Sequence, residues 1–258
     1  MNIQGKVALI TGASEGIGAA CAAEFARAGA RLSLTARSAE GLARAAGPSA
    51  ALLTPGDLTD EATRRLVMSR TLEHYGAVDI LINNAGVGVY GPSWDVPTDL
   101  TRRMMELNYF AVLGMLQLAI PHMRARRSGT IVNVGSIAGK VTLPWMTLYS
   151  ATKSAVGSLT EGLRMELRRD GVHAMLVCPG YVTTGFQKNV LAGAAPPLVV
   201  RARRFAITAE DCARAIRRGV ERDARTVMAP CSGWLMLALR RLLPGIVETR
   251  MAEMNQTP

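Results

Sequence analysis

Val7-Ala8-Leu9-Ile10-Thr11-Gly12-Ala13-Ser14-Glu15-Gly16-Ile17-Gly18 is the stretch that decides the fold. An apolar, β-favouring run passes directly into a turn carrying Gly12, Gly16 and Gly18, and a helical pattern begins at Ile17. Such a turn needs glycine for three reasons: unusual dihedrals, close approach of the backbone to a pyrophosphate, and tight packing of helix on strand. The helix N-terminus then faces the anion. A glycine-rich turn alone is a weak signal, but one set between a strong strand and a strong helix, as the first βα unit, is much stronger.

Working outward, short apolar runs recur at intervals that leave room for a helix between them: Val7 to Thr11, Leu32 to Thr35, Ala51 to Leu53, Ile80 to Asn83, Ile131 to Val134, Ala174 to Val177 and Thr226 to Ala229. Helical stretches fall at Ile17 to Ala28 closed by Gly29, Glu61 to Tyr75 closed by Gly76, Thr101 to Arg126, Tyr149 to Arg169 closed by Gly171, and Ala209 to Arg222. This alternation predicts a Rossmann-type α/β fold: a doubly wound, parallel, seven-stranded sheet in three α/β/α layers, with ligands at the carboxyl ends of the strands. No repeat, low-complexity tract or polar linker divides the 258 residues, so one domain is expected. Residues from about 185 to 206 read as a substrate lid, and those from about 231 to 258 as an apolar, helical extension.

The formal charge of +10 comes mostly from arginine. It is dispersed, and the clusters Arg124-Ala-Arg126-Arg127, Arg201-Ala-Arg203-Arg204 and Arg240-Arg241 lack interleaved aromatics or a recognition helix, so nucleic acid is not the expected partner. Cys21, Cys178, Cys212 and Cys231 are isolated, as are His74, His122 and His173; the spacing fits no metal site and a reduced, cytoplasmic protein. The N-terminal residues show no charged segment followed by an apolar one, which argues against a secretory route.

Two further places carry chemistry. Where the second strand ends, in Thr35-Ala36-Arg37-Ser38, an NAD site would place an acid on the ribose 2′-hydroxyl. Ala36 cannot serve, and Arg37 offers a planar charged fork for a 2′-phosphate, so NADP(H) is favoured over NAD(H). Glu15 would repel phosphates unless it turned outward. The second place is Tyr149-Ser-Ala-Thr-Lys153: positions i and i+4 share a helix face with Cβ atoms ~5–6 Å apart. A cation ~4 Å from the phenol at an effective dielectric of ~20 is worth ~4 kcal/mol, about three pKa units, and would make Tyr149 a usable acid and base.

With Thr11-Gly12-x-x-x-Gly16-x-Gly18, Asn83-Asn84-Ala85-Gly86, Asn108, Ser136, Tyr149-x-x-x-Lys153 and Pro179-Gly180-x-Val182-x-Thr184 in order, the sequence resembles the short-chain dehydrogenase/reductase family over roughly residues 5 to 230. The resemblance implies that Tyr149 is the general acid and base, that Lys153 lowers its pKa and holds the nicotinamide ribose, and that Ser136 polarises the substrate oxygen. By the same likeness the backbone and side chain of Asn108 would hold a water linking Lys153 to solvent as a proton relay. Asp57-Leu58 matches the adenine contact, and Asn83 to Gly86 the segment beside the adenosine ribose, although a mid-sheet Asn83 also serves buried backbone. Val182 and Thr184 match the contacts to the carboxamide and diphosphate, and Ile17 approaches the cofactor through its backbone.

On the substrate side, Ile137 to Met146 forms the expected loop with Val87 to Trp94 opposite, and Trp145, Met146, Tyr181 and Phe186 suggest a hydrophobic ketone, aldehyde or secondary alcohol, as in carbonyl reductases and hydroxysteroid-type dehydrogenases. A 3-oxoacyl carrier reductase and a non-catalytic cofactor sensor are the competing readings; the intact Asn108, Ser136, Tyr149 and Lys153 weigh against the sensor. The family resemblance implies a homodimer through the helices at Thr101 to Arg126 and Tyr149 to Arg169. Instead of the glycine-rich ending of tetrameric relatives, Met228-Ala-Pro230 leads to Trp234-Leu-Met-Leu-Ala-Leu-Arg240-Arg241-Leu-Leu-Pro244, which puts a tetramer in doubt. That run is too short to span a bilayer; it could cap the cleft, pack on a partner subunit or lie on a membrane surface.

Overall fold

The computed structural model describes residues 1–255; the last three residues of the expected C-terminal extension lie outside it. The first half comprises β1 (Val7–Thr11), α1 (Gly16–Arg27), β2 (Arg31–Ala36), α2 (Ala39–Ala46), β3 (Leu52–Pro55), α3 (Glu61–Tyr75) and β4 (Ile80–Asn83). Next, α4 (Thr98–Met105) runs through a π turn (Glu106–Phe110) into α5 (Ala111–Ala125), followed by β5 (Gly129–Val134), α6 (Thr147–Glu166) and β6 (Val172–Pro179). The excursion after β6 holds β7 (Val182–Thr183), α7 (Pro197–Ala202) and β8 (Ile207–Thr208); α8 (Ala209–Glu221), β9 (Thr226–Ala229), α9 (Gly233–Leu242) and α10 (Pro244–Asn255) follow.

The seven expected strands form one parallel sheet in the order β3-β2-β1-β4-β5-β6-β9. Strand order reverses between β1 and β4, which opens a crevice at their carboxyl ends. Both faces are buried, and alternate residues point to opposite layers: Ala8, Ile10, Ile80 and Ile82 pack beneath α1 and α8, while Leu9, Leu81 and Ile131 pack against α3, α5 and α6. This explains why the strands read as continuous apolar runs.

Two elements differ from the sequence-based expectation. The eight-residue α2 was not anticipated; Ser38 caps it by accepting from Gly41 N at 3.0 Å. The long helix starts three residues earlier than expected and is interrupted by the π turn, whose extra residue carries Asn108 into full burial. By length and composition the run Thr98–Ala125 passes as a membrane span; within it Ala111, Val112, Met115, Leu116, Ala119 and Met123 are buried against the core.

Glu24 on α1 is 3% exposed and ties α1 to α8 through Arg217 at 2.7 Å, with Arg27 as a second partner. Burial pushes its carboxyl up, yet the Arg217 hydrogen bond and Arg27 outweigh this and hold it below its ordinary value. Because the folded state binds the proton less tightly, the pair contributes stability above the unfolded carboxylate value and loses it as pH falls through the folded one. Glu24→Gln should therefore cost about 1.5–3 kcal/mol at neutral pH. In thermal melts the difference from wild type should shrink progressively on acidification; an unchanged difference at acid pH would remove the ion pair as the cause.

Candidate active site

The crevice begins at the glycine turn. Gly12 and Gly16 adopt φ of +62° and +56°, conformations that favour glycine. A Cβ at Gly12 would lie 2.8 Å from Ala85 Cα, and one at Gly18 would lie 2.2 Å from the Gly12 carbonyl oxygen. Thr11 Oγ1 accepts from the backbone N–H groups of Asn84 (2.9 Å) and Ala85 (3.1 Å), and Asn84 Nδ2 donates to Thr11 O and Gly12 O at 3.0 and 3.1 Å. The end of β4 is thus bolted to the turn, leaving the N-terminus of α1 open towards the cleft. Asn83 is spent on structure, donating to Asn133 Oδ1 at 2.9 Å, and Asn133 donates to Thr160 at 2.9 Å.

One continuous cleft of about 880 Å³ is lined by Gly12, Ser14, Gly16, Ile17, Arg37, Asp57, Leu58, Asn84, Ala85, Gly86, Ser136, Tyr149, Lys153, Pro179, Gly180, Val182 and Thr184. Gly18 and Asn108 are expected site residues that sit behind this wall. Arg37 is exposed and makes no ion pair among the described residues; Arg44, on the unanticipated α2, joins it at the wall and lies 3.8 Å from Glu40. Asp57 is occupied by Thr59, whose N–H and hydroxyl both donate to Oδ1 at 2.9 Å. Glu15 also lines the cleft, where its carboxylate accepts from Asn189 Nδ2 on the far side.

At the chemical end, Tyr149 and Lys153 lie on the buried face of α6, and Ser136, following β5, faces them. Ser136 Oγ accepts from Ala138 N at 3.1 Å and donates to Pro179 O at 3.5 Å. Lys153 Nζ donates to Val134 O at 2.9 Å and lies 5.9 Å from the centre of the Tyr149 ring. Burial pushes the phenol of Tyr149 above its ordinary value, a rise that the Ser136 hydroxyl opposes and Tyr90 reinforces. Burial also lowers Lys153 to about 8. Burial thus opposes the attraction expected between Lys153 and the phenolate, and the ammonium is directed at the Val134 carbonyl.

The Asn108 side chain accepts from Val87 N and donates to Val87 O at 2.9 Å each, and donates to Thr152 Oγ1 at 3.0 Å. A Cβ at Gly86 would come 3.1 Å from Asn108 Oδ1 and 3.3 Å from Lys153 Nζ, so the Asn108 side chain holds the β4 loop beside the lysine.

The far end is apolar. Met146, Tyr181 and Phe186 line it, and Phe186 packs edge-on to Tyr149 with ring centres 5.7 Å apart. Trp145 does not line it: at φ +63° it is 40% exposed, outside the cleft. The lid is pinned to the opposite loop by Gln187 Nε2 on Tyr90 OH (2.7 Å), Leu191 N on Gly88 O (2.8 Å) and Tyr90 N on Ala192 O (3.0 Å). Met236 of α9 and Met251 and Met254 of α10 complete the wall, which places the C-terminal segment at the cleft. The clearest advance signal for them was the apolar run itself. Among the described residues no group of three His, Cys, Asp or Glu side chains is placed to hold a metal, and the four cysteines are free.

A doubly wound sheet with a glycine cradle at its switch point and a Ser-Tyr-Lys cluster beside it defines a dinucleotide-dependent oxidoreductase class. Residues 6–195 match the family described as short chain dehydrogenase, and the chain belongs to the short-chain dehydrogenase/reductase family. It is 34% identical to dehydrogenase/reductase SDR family protein 7-like of Anopheles gambiae, over 99% of this chain and 86% of that one. It is 32% identical to dehydrogenase/reductase SDR family member 7B of Bos taurus, over 97% and 81%. Among solved structures, a short-chain dehydrogenase/reductase from Burkholderia phymatum in complex with NAD aligns over 100% and 98% at TM-score 0.86 and 28% identity. One from Burkholderia cenocepacia in complex with NADP aligns over 100% of both chains at TM-score 0.82 and 28% identity.

Gly18→Ala would force a carbon onto the Gly12 carbonyl. It should abolish saturable NADPH and NADH binding in a fluorescence titration, and wild-type affinity in that variant would show that the cradle yields.

Proposed function

We propose that the protein transfers hydride between NADP(H) and a hydrophobic ketone, aldehyde or secondary alcohol, with Tyr149 handling the proton. The observation that carries this is the placement of Ser136, Tyr149 and Lys153 around one point of a cleft whose far end is lined by Met146, Tyr181, Phe186, Met236 and Met251. The glycine cradle fits a pyrophosphate, since a Cβ at Gly12 or Gly18 would fill the space into which the backbone closes. When bound, the nicotinamide supplies or accepts the hydride. Ser136 Oγ orients the substrate oxygen, Tyr149 Oη gives it a proton during reduction, and Lys153 Nζ, when charged, steadies the phenolate left behind. Arg37 and Arg44 favour a 2′-phosphate, because both are cations at the end of β2 and an acid is absent from position 36.

Tyr149→Phe should lower the turnover of reduction by about 10²–10⁴ while leaving NADPH affinity nearly intact; wild-type turnover would sink the assignment. NADPH oxidation should be followed against hydrophobic ketones, aldehydes and 3-oxoacyl thioesters, the last because a carrier-protein reductase is the nearest alternative chemistry. Lys153 is charged below and neutral above about 8, so the reduction rate should hold towards neutral pH and fall as pH rises through that value. A rate that climbs there would separate Lys153 from the proton step. Arg37→Ala should weaken NADPH about 10- to 100-fold more than NADH in equilibrium titrations.

A further inference from the structure

The inner faces of α9 and α10 are used by the cleft; their outer faces are not. Leu235, Leu239 and Leu242 recur at i, i+4 and i+7 on α9, and Leu235 and Leu242 are 65% and 75% exposed. Leu243 and Ile246 continue the apolar surface into α10, and Phe205 of the lid adds to it at 66% exposure. The chain has three tryptophans, Trp94, Trp145 and Trp234, and all three are exposed on segments that follow the carboxyl ends of β4, β5 and β9. None of them lines the cleft, whose mouth is at that same end of the sheet.

The unpaired charge of the lid, α9 and α10 is of one sign. Glu248 and Glu253 are paired with Arg240 (2.9 Å) and Arg250 (3.1 Å), so neither offsets the remaining arginines. Arg201, Arg203 and Arg241 are exposed and have no ion pair among the described residues, and Arg204 lies over the Phe205 ring at 4.7 Å. Asp95 adjoins Trp94, which makes that loop the weakest part of the surface.

We propose that the outer face of the lid, α9 and α10 docks on an anionic lipid bilayer, so that the cleft opens at the membrane. The ten residues of α9 are too few to span one, and a bulky apolar face edged by arginine is the composition of a helix lying in the headgroup boundary. Tryptophan favours that boundary because its ring is apolar and its N–H polar. A second copy packed symmetrically on the same face would bring two sets of Arg201, Arg203 and Arg241 together with no unpaired carboxylate of the lid, α9 or α10 to offset them; anionic headgroups complement both features.

The test is co-sedimentation of the full chain, preloaded with NADPH, with vesicles of phosphatidylcholine alone and of an equal mixture of phosphatidylcholine and phosphatidylserine. Binding is expected to the mixed vesicles, weaker to the neutral ones, and to fall with salt. Arg241→Ala and Arg201→Ala should each lower partitioning about fivefold. Leu235→Ser with Leu242→Ser should remove it while NADPH titration shows the fold intact, and Trp234 emission should shift to the blue on binding only in protein that sediments. Absence of sedimentation with either vesicle, or binding that all these variants retain, would overturn the proposal. So would failure to bind vesicles together with a dimer that the leucine variant dissociates in sedimentation velocity, which would identify the face as a contact between copies.

Discussion

The space of one missing methyl group holds this molecule's working parts together. At Gly18 a Cβ would lie 2.2 Å from the Gly12 carbonyl oxygen and 2.6 Å from the Asn84 amide nitrogen, so α1 can start where it does only without a side chain there. That start allows Asn84 to bond the turn and lets Thr11 accept from Asn84 and Ala85. The next residue, Gly86, then passes within reach of Asn108 and Lys153. A contact at the head of the first helix thus propagates through the end of β4 to the lysine on α6.

Beyond this, the site is governed by burial. The phenol of Tyr149 and the ammonium of Lys153 move in opposite directions, both towards neutrality, because both side chains are buried in the cleft wall. Groups with fixed polarity are correspondingly matched: Lys153 to the Val134 carbonyl, Asn108 to Val87 and Thr152. The side built by β4 and α6 is a hydrogen-bonded lattice, whereas the opposite side combines apolar packing with the hydrogen bonds of the lid to Gly88 and Tyr90.

The sheet was legible because both its faces are buried, so each strand stood out as an unbroken apolar run, and the glycine turn located the crevice. α2 escaped notice because it is only eight residues long and contains Gly41 near its start. Spacing placed Tyr149 and Lys153 on one face, but spacing measures distance and not burial, which raises the phenol and lowers the ammonium. Trp145 was read as lining because it is large and apolar; its left-handed backbone sets it on the outside. The methionines of the last helices lie far along the chain from the motifs, and only the fold brings them to the cleft.

The Asn83–Asn133–Thr160 chain, so far described as structural, also sets an angle. Tyr149, Lys153, Val156 and Thr160 fall on one stripe of α6 at i, i+4, i+7 and i+11. Each residue advances a helix by about 100° and 1.5 Å, so Thr160 stands roughly three turns and ~16 Å from Tyr149, almost in phase with it. Its bond to Asn133, itself held by Asn83, therefore stops the helix from rolling against β4 and β5. A slip of one residue would swing the phenol about a quarter-turn out of the cleft, and so the aim of the tyrosine is fixed at the opposite end of its helix by two amides and a hydroxyl.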